Sequence, residues 1–187
     1  MPTIRDWQRN REMWVRVLEK QTNDGLETWN QRILGASIED KSGLRAWLST
    51  QGVTGYAQSL LVMERFGYPD FILATADELI EKQYADRPQL RPIYDAVILA
   101  AARCGELIIQ ARKTYVSLVA PRRTFARVQP AKKRLDLGLR LENCKAEGRL
   151  EPSRIHHTMR VQIALATRDD VDAEVQRWLE LAYLENS

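Results

Sequence analysis

Apolar positions recur every three to four residues through the first hundred residues of the chain, and every second residue in the stretch that follows. In "REMWVRVLEK", Trp14, Val17 and Leu18 fall at helical spacing, with Trp7 two turns earlier on roughly the same side. Asp24 and Glu27 have the spacing of a capping box, ahead of a helix with the stripe Leu26, Trp29 and Ile33 that ends at Gly35. A third helix carries Leu44, Trp47 and Leu48 and stops near Gly52. A fourth starts at Thr54 and carries Tyr56, Leu60 and Met63 before Gly67. Thr75 and Glu78 make a second capping box, which opens a helix through Leu79 and Ile80. The sixth helix has Pro88 and Pro92 in its first turn, where a missing amide hydrogen does no harm. It presents Leu90, Ile93, Val97 and Ala101 and fades at Gly105.

Past Gly105 the period falls from about 3.6 to 2. "LIIQA", "TYVSLV", "TFARVQ" and "RLDLGLRL" read as strands, with Pro121 and Pro130 placed for turns between them. A loop over 142–154 precedes a last strand around "MRVQIAL". The closing helix is opened by Thr167 and the acidic pair Asp169 and Asp170, with a stripe of Val171, Val175, Trp178, Leu179 and Ala182. Helices, then an antiparallel meander, then a helix predict an α+β fold. Residues 1–86 form a helical N-terminal module, and 87–187 form an antiparallel sheet of four to five strands backed by helices. The boundary is expected in "KQYADRPQLRP", where polar residues and two prolines break the periodicity.

Charge sharpens this division. Residues 1–86 carry 10 Lys/Arg against 13 Asp/Glu, whereas 112–160 carry 13 against 4, within a chain whose net charge is only +3. Such a local excess favours anionic partners. The hydrophobic content of 44% suits a folded chain. No apolar run approaches the ~20 residues that span a bilayer, so no membrane partner is expected. The first twenty residues have charges where an export signal needs an apolar stretch, which predicts the cytoplasm. Cys104 and Cys144 make no disulfide framework.

The alternation assigns the basic residues to one side. Leu135, Leu137, Leu139 and Leu141 are expected on the covered face, which turns Lys132, Arg134, Asp136, Gly138 and Arg140 outward. In the preceding strand Arg123, Phe125 and Arg127 share the outward side; Tyr115 and Ser117 extend it, as do Arg160 and Gln162. Arg123, Arg127, Lys132, Lys133, Arg134 and Arg140 are therefore candidate phosphate contacts, and Tyr115 and Phe125 candidate stacking platforms. Two plainer accounts compete: an antiparallel sheet with one wet face needs polar residues there, or the helical module covers that face.

Other motifs point to less. "GLRAWLSTQGVTGYAQSLLVMERFG" has the outline of a helix-turn-helix, but its second helix offers only Gln58, Ser59, Glu64 and Arg65 as polar surface. A plain helical hairpin is the better reading. His156 and His157, read as neighbours in a strand, point to opposite faces, and no CxxC or HxxxH spacing accompanies them. No metal and no cofactor are expected. There is no glycine-rich phosphate loop, nucleophile elbow or paired-carboxylate signature, which leans against an enzyme.

Lys113-Thr114-Tyr115-Val116, Phe125, Gln129-Pro130, Lys132-Lys133-Arg134-Leu135 and Leu137-Gly138-Leu139 together resemble the bacterial domain-of-unknown-function family 5655. The similarity extends from about Leu90 through His156-His157 to the terminal helix. Residues 19–67 are similar to a second, helical family, domain-of-unknown-function family 4287, often found just ahead of the first. That family usually has a Gly-His-Gly-His-like turn where this chain reads Gly52-Val53-Thr54-Gly55, so no role of those histidines carries over. The C-terminal layout is also similar to small α+β domains proposed to bind DNA through paired β-hairpin wings. Sequence and resemblance lead to a non-enzymatic module whose basic sheet face binds nucleic acid or another polyanion. The alternative is a protein–protein interaction module, in which the tryptophan-rich helices dock a protein partner. A third possibility is an enzyme with its site between the two parts.

Overall fold

Asp40 accepts hydrogen bonds from the Ser42 and Gly43 amides at 2.8 and 2.9 Å, and Thr75 with Glu78 closes a reciprocal capping box. These polar side chains fix where two of the helices begin. The computed structural model describes residues 3–5 and 8–187, which fall into two compact units, 6–74 and 1–5 with 75–187. Trp7 lies outside the described residues.

The first unit contains α1 (Gln8–Thr22), α2 (Leu26–Gly35), α3 (Lys41–Thr50), α4 (Gly55–Phe66) and the one-turn α5 (Asp70–Leu73). Its core includes Trp14, Leu18, Trp29, Ile33, Leu44, Leu48, Leu60 and Leu61. Trp29 meets Trp47 edge-on, and its indole N–H donates to the Thr22 hydroxyl at 2.9 Å. Two local expectations are corrected. Asp24 does not cap α2; Gly25 holds that position without a side-chain bond, and Asp24 pairs with Arg32 at 2.8 Å. The buried face of α4 runs through Ala57, Leu60 and Leu61, which turns Tyr56 outward at 62% exposure, stacked on Trp14.

The second unit contains α6 (Ala76–Tyr84), a 3-10 turn at Pro88–Leu90 leading into α7 (Arg91–Ala102), and α8 (Ala173–Asn186). Its strands are β1 (Thr3–Arg5), β2 (Ile108–Ala111), β3 (Val116–Val119), β4 (Thr124–Pro130), β5 (Leu135–Leu139), β6 (Glu151–Pro152) and β7 (Val161–Leu165), in the sheet order β1-β2-β3-β4-β5-β7-β6. The fold is α+β, with seven strands among the described residues where four to five were expected. The two strands not anticipated are β1, which joins β2 in parallel, and β6; with three and two residues they are too short to show alternation.

The compact units divide at 74/75, ahead of the 86/87 boundary suggested by the prolines. The reason is that α6 is tied to the sheet: buried Gln83 donates to the Arg112 carbonyl at 2.7 Å and to that of Tyr115 at 3.3 Å. In the sheet, Ile109, Leu118, Ala126, Leu139 and Val161 align across the strands and are all buried. Ala111, Val116, Val128, Leu137 and Ile163 do the same one row along. Helix α8 packs on β4 and β5 and buries Val175, Leu179, Ala182 and Tyr183. Its cap is Asp172; the Thr167–Asp170 box instead closes a separate 3-10 turn just before it.

Candidate nucleic-acid interface

Pairing register fixes the outward face as well as the inward one. Ser117, Arg127, Gly138 and Gln162 lie side by side across β3, β4, β5 and β7. Arg127 therefore sits near the middle of the polar face. Its guanidinium lies 3.9 Å from the centroid of the half-buried Tyr115 ring, a cation–π contact that holds both groups in place. Arg127 Nε is sealed from solvent and has no hydrogen-bond partner. Tyr115 is thus on the expected face, but one side of its ring is already occupied by the arginine.

Phe125 is not on that face, and the stacking role expected for it is corrected. Val119 pairs with Thr124 and Leu118 with Ala126, so Phe125 is the extra residue of a bulge. A bulge resets the alternation of its strand. Phe125 accordingly turns into the core, 0% exposed, with its ring edge-on to Tyr183 at a centroid separation of 5.4 Å. It cannot meet a base.

The polar face is also partly roofed. The turn over 153–159 crosses Gly138, where an added Cβ would lie 3.0 Å from Ile155 Cδ1 and 3.1 Å from Met159 Cγ. A side chain here would push Ile155 and Met159 back by a few tenths of an ångström. The Arg154 amide donates to Gln162 Oε1 at 2.8 Å and anchors the turn to β7. His156 and His157 lie in this turn and not in a strand, so their ring centroids come within 4.1 Å, tilted by 35°, instead of pointing apart. His156 Nδ1 is 2.8 Å from the Thr158 hydroxyl. Burial, then the charges of Arg127 and His157, hold the His156 pKa below its ordinary value.

The remaining cations gather at the two ends of the face. At the β4–β5 turn, Lys132 and Lys133 are exposed and make no ion pair among the described residues, while Arg134 pairs with Asp136 at 2.8 Å. At the other end Arg123, Arg140 and Arg160 surround one carboxylate, that of Glu142, at 3.8, 3.9 and 3.4 Å. Arg123 is fixed from behind, its Nε donating to Asn186 Oδ1 at 2.6 Å. The structure thus brings Arg123 and Arg140 together, places Lys132, Lys133 and Arg134 at the opposite end, and leaves Arg127 between them.

Glu142 and Asn186 were not anticipated as members of the site. Glu142 was legible in principle, because it stands two residues after Arg140 on the same side of an extended chain. Asn186 comes from the far end of α8 and has no such local signal. Among the described residues no group of three or more His, Cys, Asp or Glu side chains can hold a metal ion, and no helix is long and apolar enough to cross a membrane. Cys104, between α7 and α8, has its thiol pushed up to about 11, chiefly by burial, and so stays protonated and weakly nucleophilic near neutrality.

No curated protein and no solved structure matches the chain. The family model described as Domain of unknown function (DUF5655) matches residues 80–186, which takes in α7, the strands β2 to β7 and α8. That is more than half of the 187 residues. The chain belongs to the Domain of unknown function (DUF5655) family.

Proposed function

We propose that the protein is a non-enzymatic, cytoplasmic binding module that holds nucleic acid, or a polyanion of similar spacing, along the polar face of its sheet. Residues 19–67 would supply a helical module of the family 4287 type ahead of it. The observation that carries the reading is the run of cations along that face. Arg123, Arg140 and Arg160 stand at one end, Arg127 in the middle, and Lys132, Lys133 and Arg134 at the other, while Glu142 and Asp136 are the carboxylates paired with them. Arg134 and Arg140 flank β5 and are six residues apart, roughly 20 Å at ~3.3 Å per residue. That length matches about six phosphates at ~3.4 Å per nucleotide along one strand.

With Phe125 buried and Tyr115 covered by Arg127, the contacts available are to phosphate and not to bases. Binding should therefore be indifferent to sequence and similar for single and double strands. The test is fluorescence anisotropy with random-sequence oligonucleotides at low salt, comparing wild type with Arg127→Gln/Arg134→Gln. The double variant is expected to bind more weakly on every sequence, while an exposed ion pair and one cation–π contact remove little stability. Equal binding by the two proteins rejects this face. No binding by either moves the weight to a protein–protein interaction module.

A further inference from the structure

Glu142 follows β5 by three residues, and its two oxygens serve three guanidinium groups. Arg123 and Arg140 share Oε1 at 3.8 and 3.9 Å, and Arg160 faces Oε2 at 3.4 Å. These contacts are long. Arginine–carboxylate pairs elsewhere close to hydrogen-bond distance, as at Arg134–Asp136 (2.8 Å), Arg149–Asp172 (2.7 Å) and Arg32–Asp24 (2.8 Å). Arg140 Nε is sealed from solvent with no hydrogen-bond partner. The carboxylate neutralises part of the cluster's charge but accepts only one long hydrogen bond from it, from Arg160 at 3.4 Å.

The arginines are nevertheless held firmly. Asn186, fully buried, accepts from Arg123 Nε at 2.6 Å and donates to the Arg140 carbonyl at 2.9 Å and to that of Ala182 at 2.7 Å. Glu185 is occupied elsewhere, accepting from the Glu142 amide at 2.9 Å. Asn186 thus ties the Arg123 guanidinium and the Arg140 backbone to the end of α8. Three guanidinium groups offer more donors than the two oxygens of one carboxylate can accept from. A terminal phosphoryl group presents ~3 strong acceptor oxygens on a tetrahedron, one for each guanidinium, where a backbone phosphodiester presents only two, and arginine forks match phosphate geometry.

We propose that Arg123, Arg140 and Arg160 form a phosphate-binding site in which the Glu142 carboxylate stands where a phosphoryl group of the nucleic acid binds, so that Glu142 is a built-in competitor for it. The identity of the ligand rests on the reading of the face given above; the geometry of the cluster does not. When a phosphoryl group enters, the Glu142 side chain, 42% exposed, swings toward solvent and the three guanidinium groups close on the incoming oxygens.

The experiment is calorimetric titration of wild type, Glu142→Gln and Arg160→Gln with inorganic phosphate, then with 5′-phosphorylated and 5′-hydroxyl oligonucleotides of one length. Removing a unit charge at about 4 Å should tighten phosphate binding by at least about fivefold in Glu142→Gln. Arg160→Gln, which alters a side chain 63% exposed and so should fold normally, should weaken it. A preference for the 5′-phosphorylated strand assigns the site to a terminal phosphate, and equal affinity overturns it, because a backbone phosphodiester offers no more charged oxygens than Glu142. Unchanged or weaker binding by a folded Glu142→Gln protein overturns the proposal, as does wild-type affinity in Arg160→Gln. If wild type binds oligonucleotides and Glu142→Gln gains nothing, this site falls and the wider face stands. If Glu142→Gln binds inorganic phosphate while no variant binds oligonucleotides, the site stands and the nucleic-acid reading falls.

Discussion

Phe125 stands between Arg123 and Arg127 in sequence, and simple alternation would turn all three the same way. The bulge at Leu118/Val119 separates them, sending the ring to Tyr183 and leaving the arginines outside. Phe125→Ala should therefore destabilise the fold by ~3–5 kcal/mol in urea denaturation, and at equal folded fraction it should leave oligonucleotide affinity unchanged. A loss below ~1 kcal/mol, the range of surface substitutions, would mean the ring is not core. His156 gives a second test at this scale. Its pKa lies below the ordinary histidine value of 6.5, first through burial and then through Arg127 and His157. The unfolded chain therefore takes up the proton more readily. The contribution of the 153–159 turn to stability is complete above pH 6.5 and declines as pH falls through the lower folded value. In an NMR titration the His156 ring should titrate below 6.5, and Arg127→Gln should move it part of the way back. A His156 that titrates at or above 6.5 would place the ring away from Arg127.

At the scale of elements, what was legible in the sequence is what repeats over several turns or pleats. The stripe that runs from the 3-10 turn into α7 was readable because Leu90, Ile93, Val97 and Ala101 are all buried, and β5 because its leucines alternate without interruption. β1 and β6 were not, since pairing in the sheet defines them and their own pattern does not. In α4 the stripe was misread by one position, because Ala57 carries little hydrophobic signal beside Tyr56. The candidate site was legible as a set of cations on one face. Its grouping was not, because the bulge, the turn over Gly138 and the Asn186 anchor depend on residues distant in sequence. α8 shows the same limit. Trp178 reads as part of its buried stripe, yet it is only half-buried, whereas Leu179 is fully enclosed. Leu179→Ala should destabilise by ~2–5 kcal/mol and Trp178→Ala by less, measured by thermal unfolding. The reverse order would mean that α8 is rotated about its axis.

On the scale of the whole molecule, the division of charge follows the division of the chain. The acidic balance belongs to residues 1–86, and the excess of 13 Lys/Arg over 4 Asp/Glu in 112–160 falls within the stretch that matches the family. That excess is not spread evenly over the second unit. Pairing register collects much of it on the side of the sheet away from the aligned apolar rows, and α8 fixes part of it through Asn186. A face built in this way should act through charge, so ionic strength is the variable that interrogates it. The decisive measurement is the affinity of the full chain for a random-sequence oligonucleotide across a series of salt concentrations. Each phosphate contact releases condensed counterion, so log K should fall linearly with log salt at ~0.7 per contact for a single strand and ~0.9 for a duplex. The expected result is a steep slope that flattens by up to ~2 in Arg127→Gln/Arg134→Gln. Binding that is independent of salt, or absent at low salt where screening is weakest, would contradict the account.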